Sequence, residues 1–115
     1  MPEDSEERHR RAWERFVAAE RREVEIRRDG HLLKALGMPI LPGETRAELA
    51  RIGEEDRVLA EQGMVQMKDA HGGAYHKHVD ELEPGDRTDR ARAHGVRVEW
   101  LAERVRKLRD APRTS

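Results

Sequence analysis

The chain has 115 residues, of which 23 are Lys or Arg and 24 are Asp or Glu, for a formal net charge of -1. That length suits one domain. With 9 Leu, 3 Ile, 8 Val and 1 Phe, about 18 % of the chain, strong core formers are too few for a thick, self-sufficient core, and the near-zero net charge argues against charge-driven disorder.

Ala, Glu and Arg dominate a first segment, and Glu6/Arg10, Glu7/Arg11 and Glu23/Arg27 stand one turn apart with the acid first, which predicts a long helix over about 3–28. Its apolar stripe is Trp13, Phe16, Val17 and Val24, with Ile26 off it. Asp29-Gly30 ends that helix and a short one is expected over 31–37. The prolines of Met38-Pro39-Ile40-Leu41-Pro42-Gly43 hold the chain extended, with Ile40 and Leu41 expected to dock in the core. Thr45 and Glu48 have capping-box spacing, which predicts a helix over 45–62 with Leu49, Ile52 and Leu59 as its buried edge and Gly53 as a weak point.

The period then changes. Met64–Lys68 and Tyr75–Val79 carry bulky or β-branched residues around Ala70-His71-Gly72-Gly73, which predicts a β-hairpin over 64–80. Pro84-Gly85 breaks the chain, Asp86 can cap, and a last helix is expected over 87–109. On it Ala91, His94, Val98, Leu101, Ala102, Val105 and Leu108 form one stripe. His94 reads there as a core or boundary histidine. Val98, Leu101, Val105 and Leu108 predict a core or dimer seam, and a homo-oligomer or protein partner is expected because two thin amphipathic faces bury more surface together. Pro112 and Arg113-Thr114-Ser115 are expected to fray. The expected fold is mainly α, a single helical domain over 1–115 with one β-hairpin.

The charge is uneven, with balances of 0 over residues 1–36, -5 over 37–83 and +4 over 84–115. An acidic middle beside a basic last helix can be internal complementarity, or can leave that helix free for an anionic partner. On the side of the last helix away from the apolar stripe, Arg97, Trp100, Arg104 and Lys107 make a ridge flanked by Glu99 and Glu103. Cations with an embedded aromatic are a nucleic-acid footprint. Glu103 can also pair with Lys107, which would make this an ordinary solvated face. Lys68 and Lys77 of the hairpin are candidates to extend the ridge.

Metal-ligand chemistry gathers at His71, His76, His78 and Asp80. In a strand, His76, His78 and Asp80 share a face, and imidazole with carboxylate suits zinc or another divalent metal. The alternative is a hairpin whose polar side is wet, with no cofactor. Little else suits catalysis: Ser5 and Ser115 are the only serines and there is no Gly-rich phosphate loop. An enzyme is the least favoured class. With no cysteine there are no disulfides or thiolate sites, and the cytoplasm is the default location. The longest uncharged run, Ala35 to Gly43, has nine residues, and Met1-Pro2-Glu3-Asp4 lacks the regions of a signal peptide, so no membrane is expected.

From His31 through Val79 the order is short helix, Pro/Gly turn, helix, then Leu59-Ala60-Glu61-Gln62-Gly63-Met64-Val65 entering a hairpin with Gly72-Gly73 at its tip. This resembles a winged helix-turn-helix, which implies DNA binding through the helix before the wing. Here that helix is acidic, with Glu48, Glu54, Glu55, Asp56 and Glu61 against Arg46, Arg51 and Arg57, which repels phosphate. The helix, hairpin and helix from Leu59 to Leu108 with Ala111-Pro112-Arg113 are also similar to the small terminase subunits of tailed phages, which implies DNA binding during genome packaging. The expected function is a small non-catalytic DNA-associated protein, regulatory or phage packaging-like. The alternatives are a helical protein-interaction or assembly module and a metal-binding protein.

Overall fold

The computed structural model describes residues 5–110. The expected helix start at Glu3 and the fraying end from Pro112 to Ser115 lie outside them. The chain is mainly helical with one β-hairpin: α1 (Ser5–Arg28), α2 (Leu32–Ala35), α3 (Gly43–Ile52), α4 (Glu54–Glu61), β1 (Met64–Lys68), β2 (Ala74–His78), a 3-10 turn (Val79–Glu81) and α5 (Asp86–Asp110).

The single helix expected over 45–62 is two helices. Gly53 closes α3 and opens α4, and a Cβ there would come within 3.3 Å of Leu32, so the bend brings the backbone close to α2. The capping box does not form either. α3 starts earlier, at Gly43, because the extended Pro42 presents its carbonyl to the Arg46 N–H at 2.9 Å, and no side chain caps the end. The order of short helix, helix and hairpin survives with its middle helix divided.

The strands pair antiparallel, Met64 opposite His78 and Lys68 opposite Ala74. Asp69 organises the tip: its Oδ1 accepts from the N–H groups of His71 and Gly73 at 2.9 and 2.8 Å, while Gly72 takes a φ of +85°. Val79 N–H bonds Gly63 O and Asp69 N–H bonds Gly73 O, which sets the phase of the ladder. The carbonyls of Met64, Gln66 and Lys68 therefore point away from β2. Each accepts from an arginine: Arg27 at 3.2 Å, Arg90 at 3.1 Å and Arg92 at 2.7 Å.

The thin core is divided between two clusters. Val24 of α1, Ala60 of α4, Val65 and Met67 of β1, Val79 and Leu82 form one, with Trp13, Phe16 and Tyr75 against it. Leu32 and Leu33 of α2, Leu49 of α3, and Leu101 and Val105 of α5 form the other, with Leu36, Met38, Leu41, Ile52 and Leu108 against it. Leu41 docks as expected, whereas Ile40 is 70 % exposed.

Charged side chains complete the buried faces. On α1, Glu20 and Arg27 continue the line begun by Trp13 and Phe16. On α5 the buried residues are Arg90, Ala93, Leu101 and Val105, while Ala91 and Ala102 are exposed. The stripe is thus rotated from the one expected. The guanidiniums of Arg90 and Arg97 find carboxylates inside the fold, and burial of a charge is tolerated when it is paired and hydrogen-bonded.

Candidate interaction surface on the C-terminal helix

Arg90, with a side chain 4 % exposed, donates from Nε to Glu20 at 2.8 Å and from Nη2 to Glu23 at 2.5 Å, and its Nη1 takes the Gln66 carbonyl. Arg27 stands beside the same acids, its Nε 3.7 Å from Glu23. Burial holds the Glu20 carboxyl above its usual range, although Arg90 pulls the other way, and burial likewise lowers the Arg27 guanidinium. Glu20, Glu23 and Arg90 form the floor of a cleft between α1 and α5, lined also by Phe16, Arg87, Thr88 and His94. Both carboxylates at that floor are engaged by Arg90, so neither stands as an unpaired general base.

The expected ridge is only partly a surface. Arg97 turns inward and donates to Asp56 of α4 at 2.6 Å, and Asp56 also accepts from the Gln66 amide at 2.7 Å. Asp56 is buried, and the acidic middle of the chain thereby neutralises one ridge cation internally. Arg106, not Lys107, takes Glu103. Arg104, Lys107 and Arg109 are exposed and form no ion pair among the described residues.

Trp100 is 41 % exposed and Val96, one turn before it, is 44 % exposed. The Arg97 guanidinium carbon lies 4.7 Å from the centre of the Trp100 ring and that of Arg104 5.8 Å. Cations at these distances are attracted by the ring quadrupole. Because Arg97 is itself tied to Asp56, the indole is held on the surface by a fixed neighbour.

The remaining candidates scatter. Lys77 pairs with Asp86 at 2.7 Å. That hydrogen bond raises the Lys77 ammonium above its usual range. For Asp86, burial pushes upward, yet hydrogen bonds from Lys77 and the Glu83 N–H bring its carboxyl below the usual range. Lys68 is half-buried and its carbonyl receives Arg92. His71 sits in the hairpin tip and His76 is exposed on β2. The Nδ1 of His78 accepts from the Asp80 N–H at 3.1 Å, and Asp80 pairs with Arg21 at 2.9 Å. Among the described residues no three His, Asp or Glu side chains come together as a set of metal ligands.

The expected dimer seam is largely used within one chain. Leu101 is fully buried and Val105 nearly so, both against α2 and α3, Leu108 packs on them, and Val98 is half-buried. Among the described residues no helix is long and apolar enough to cross a membrane. Comparison of the chain with known protein families, curated proteins and solved structures finds no match.

Proposed function

We propose that the chain is a non-catalytic helical binding protein that docks a protein partner on the outer face of α5. The observation that carries this reading is the exposed pair Val96 and Trp100 with the guanidiniums of Arg97 and Arg104 beside the indole. Tryptophan and arginine around a small apolar centre are the composition of an interface hot spot. A tryptophan held by a fixed arginine is pre-organised, which lowers the ordering cost of association. The test is affinity capture with the full chain and with Trp100→Ala, followed by reconstitution with the purified partner. Truncation of Trp100 is expected to weaken the reconstituted complex at least about 30-fold. Unchanged affinity would remove α5 as the docking face.

A second reading, a DNA-associated protein, is favoured by Arg104, Lys107 and Arg109 near the end of α5, which are exposed and form no ion pair among the described residues. Three phosphate contacts would give a log-log salt slope of about -3. Fluorescence anisotropy with duplex DNA at low and moderate salt tests it. Binding with that slope, abolished by Arg104→Glu, Lys107→Glu and Arg109→Glu together, would support this reading, and no binding at low salt would sink it.

A further inference from the structure

A groove separate from α5 runs along α2, the loop over 38–42 and α3. It encloses about 420 Å³ over Leu32, Leu33 and Leu49. Ile40 stands at its wall, 70 % exposed. Prolines at 39 and 42 restrict the backbone that carries it, so an apolar side chain is held in water beside an apolar floor. His31, Lys34 and Arg46 line the same groove and no carboxylate does. Lys34 and Arg46 are exposed and neither forms an ion pair among the described residues; Arg46 donates from Nε to the Leu41 carbonyl at 3.3 Å.

We infer that this groove docks a short amphipathic segment of another protein, with an apolar anchor beside Ile40 and acidic side chains meeting Lys34 and Arg46. Charge complementarity selects the occupant. In a chain whose 24 acids slightly outnumber its 23 bases, an apolar groove bordered only by basic side chains attracts an acidic segment and repels a basic one. Spacings of i, i+3 and i+4 are how an amphipathic helix presents its anchors to such a groove. The inference does not rest on the α5 reading, because no residue of α5 lines the groove.

The test uses the full chain and a fluorescein-labelled peptide of about 16 residues, with Leu at i, i+3 and i+4, Glu at the positions flanking them and Ala elsewhere to favour the helix, read by anisotropy. Saturable binding is expected. Lys34→Glu with Arg46→Glu should weaken it at least about tenfold, with the unfolding midpoint checked because both positions are exposed. A peptide carrying Gln in place of every Glu should bind more weakly. No binding, equal binding of the Gln peptide, or unchanged binding by the double variant would overturn the inference. Sedimentation equilibrium of the chain alone provides the remaining check: a dimer dissolved by Ile40→Lys would put a second copy in the groove and overturn the acidic-segment assignment.

Discussion

Arg97 of α5 donates to Asp56 of α4 at 2.6 Å, joining residues 41 positions apart. This bond takes a basic residue out of the surface ridge and places it under Trp100 as a support. It also compensates a carboxylate that is otherwise buried. Asp56→Ala should therefore cost about 2–3 kcal/mol, since Arg97 and the Gln66 amide lose their acceptor together. Urea unfolding is the check, and a loss below about 0.5 kcal/mol would mean the pair behaves as a surface ion pair.

Arg90 is the stronger test of buried charge. It holds Glu20, Glu23 and the Gln66 carbonyl from one guanidinium. Arg90→Met should destabilise the fold by about 3–5 kcal/mol, because two carboxylates are left without their main cation. Arg90→Lys should recover little of that, since a point charge cannot replace a planar fork. Full recovery by lysine would show that charge alone, and not geometry, is needed there.

The order of elements was legible in the sequence because its punctuation is local. Asp29-Gly30, the two prolines around Ile40, Gly72-Gly73 and Pro84-Gly85 each act within a few residues: α1 ends before the first, the hairpin turns at the third and α5 starts after the last. The rotation of α5 was not legible. Arg90 and Arg97 look like surface residues until their acids are known, and those acids lie 70 and 41 positions away. Ile40 misleads for the same reason, since hydrophobicity alone does not say which of two neighbouring apolar side chains the fold has room to cover. Of the candidate surface, Trp100, Arg104 and Lys107 were visible as a helical spacing; the companion Val96 and the support from Asp56 required the packing.

The two faces of α5 give a paired prediction. Leu101 is fully buried against α2 and α3 whereas Trp100, its neighbour in sequence, is 41 % exposed. Leu101→Ala should cost about 2–5 kcal/mol, and Trp100→Ala should stay within about 0.5 kcal/mol. Equal losses would mean that the indole belongs to the core and not to a docking face.

Gly63 precedes β1 with a φ of +74°, and a Cβ there would lie 2.5 Å from His78 Nε2. Gly63→Ala combines a left-handed backbone with that clash, and a loss of at least about 1–2 kcal/mol is expected from the backbone alone. In a double-mutant cycle, His78→Ala should relieve the steric part and leave the conformational part in place. Complete rescue by His78→Ala would show that the backbone contributes nothing.

The chain's single tyrosine supplies a pH signature. Tyr75 donates its hydroxyl to Asp89 at 2.5 Å, and that bond, with burial and nearby carboxylates, pushes the phenol up to about 12 from 10.0. The native state thus keeps a proton that the unfolded chain releases, so stability should fall as the pH rises from about 10 to about 12. Lys77 contributes a slope of the same sign, and Tyr75→Phe should reduce the total without abolishing it. Tyrosinate absorbance should titrate near 12 in the native protein and near 10 in urea; a midpoint near 10 in both would overturn this assignment.

The arginines at 27, 90 and 92 occupy the outward carbonyls of β1. A two-stranded sheet ordinarily has two open borders, each a template for a strand from another molecule. In this chain one border is closed by side chains that cannot accept a hydrogen bond in return, so an incoming strand has no row of carbonyls to pair with along β1. Growth of the sheet is confined to β2, beside His76 and His78. Fibril-like stacking, which requires both borders of every strand, is blocked for as long as α1 and α5 hold those guanidiniums in place.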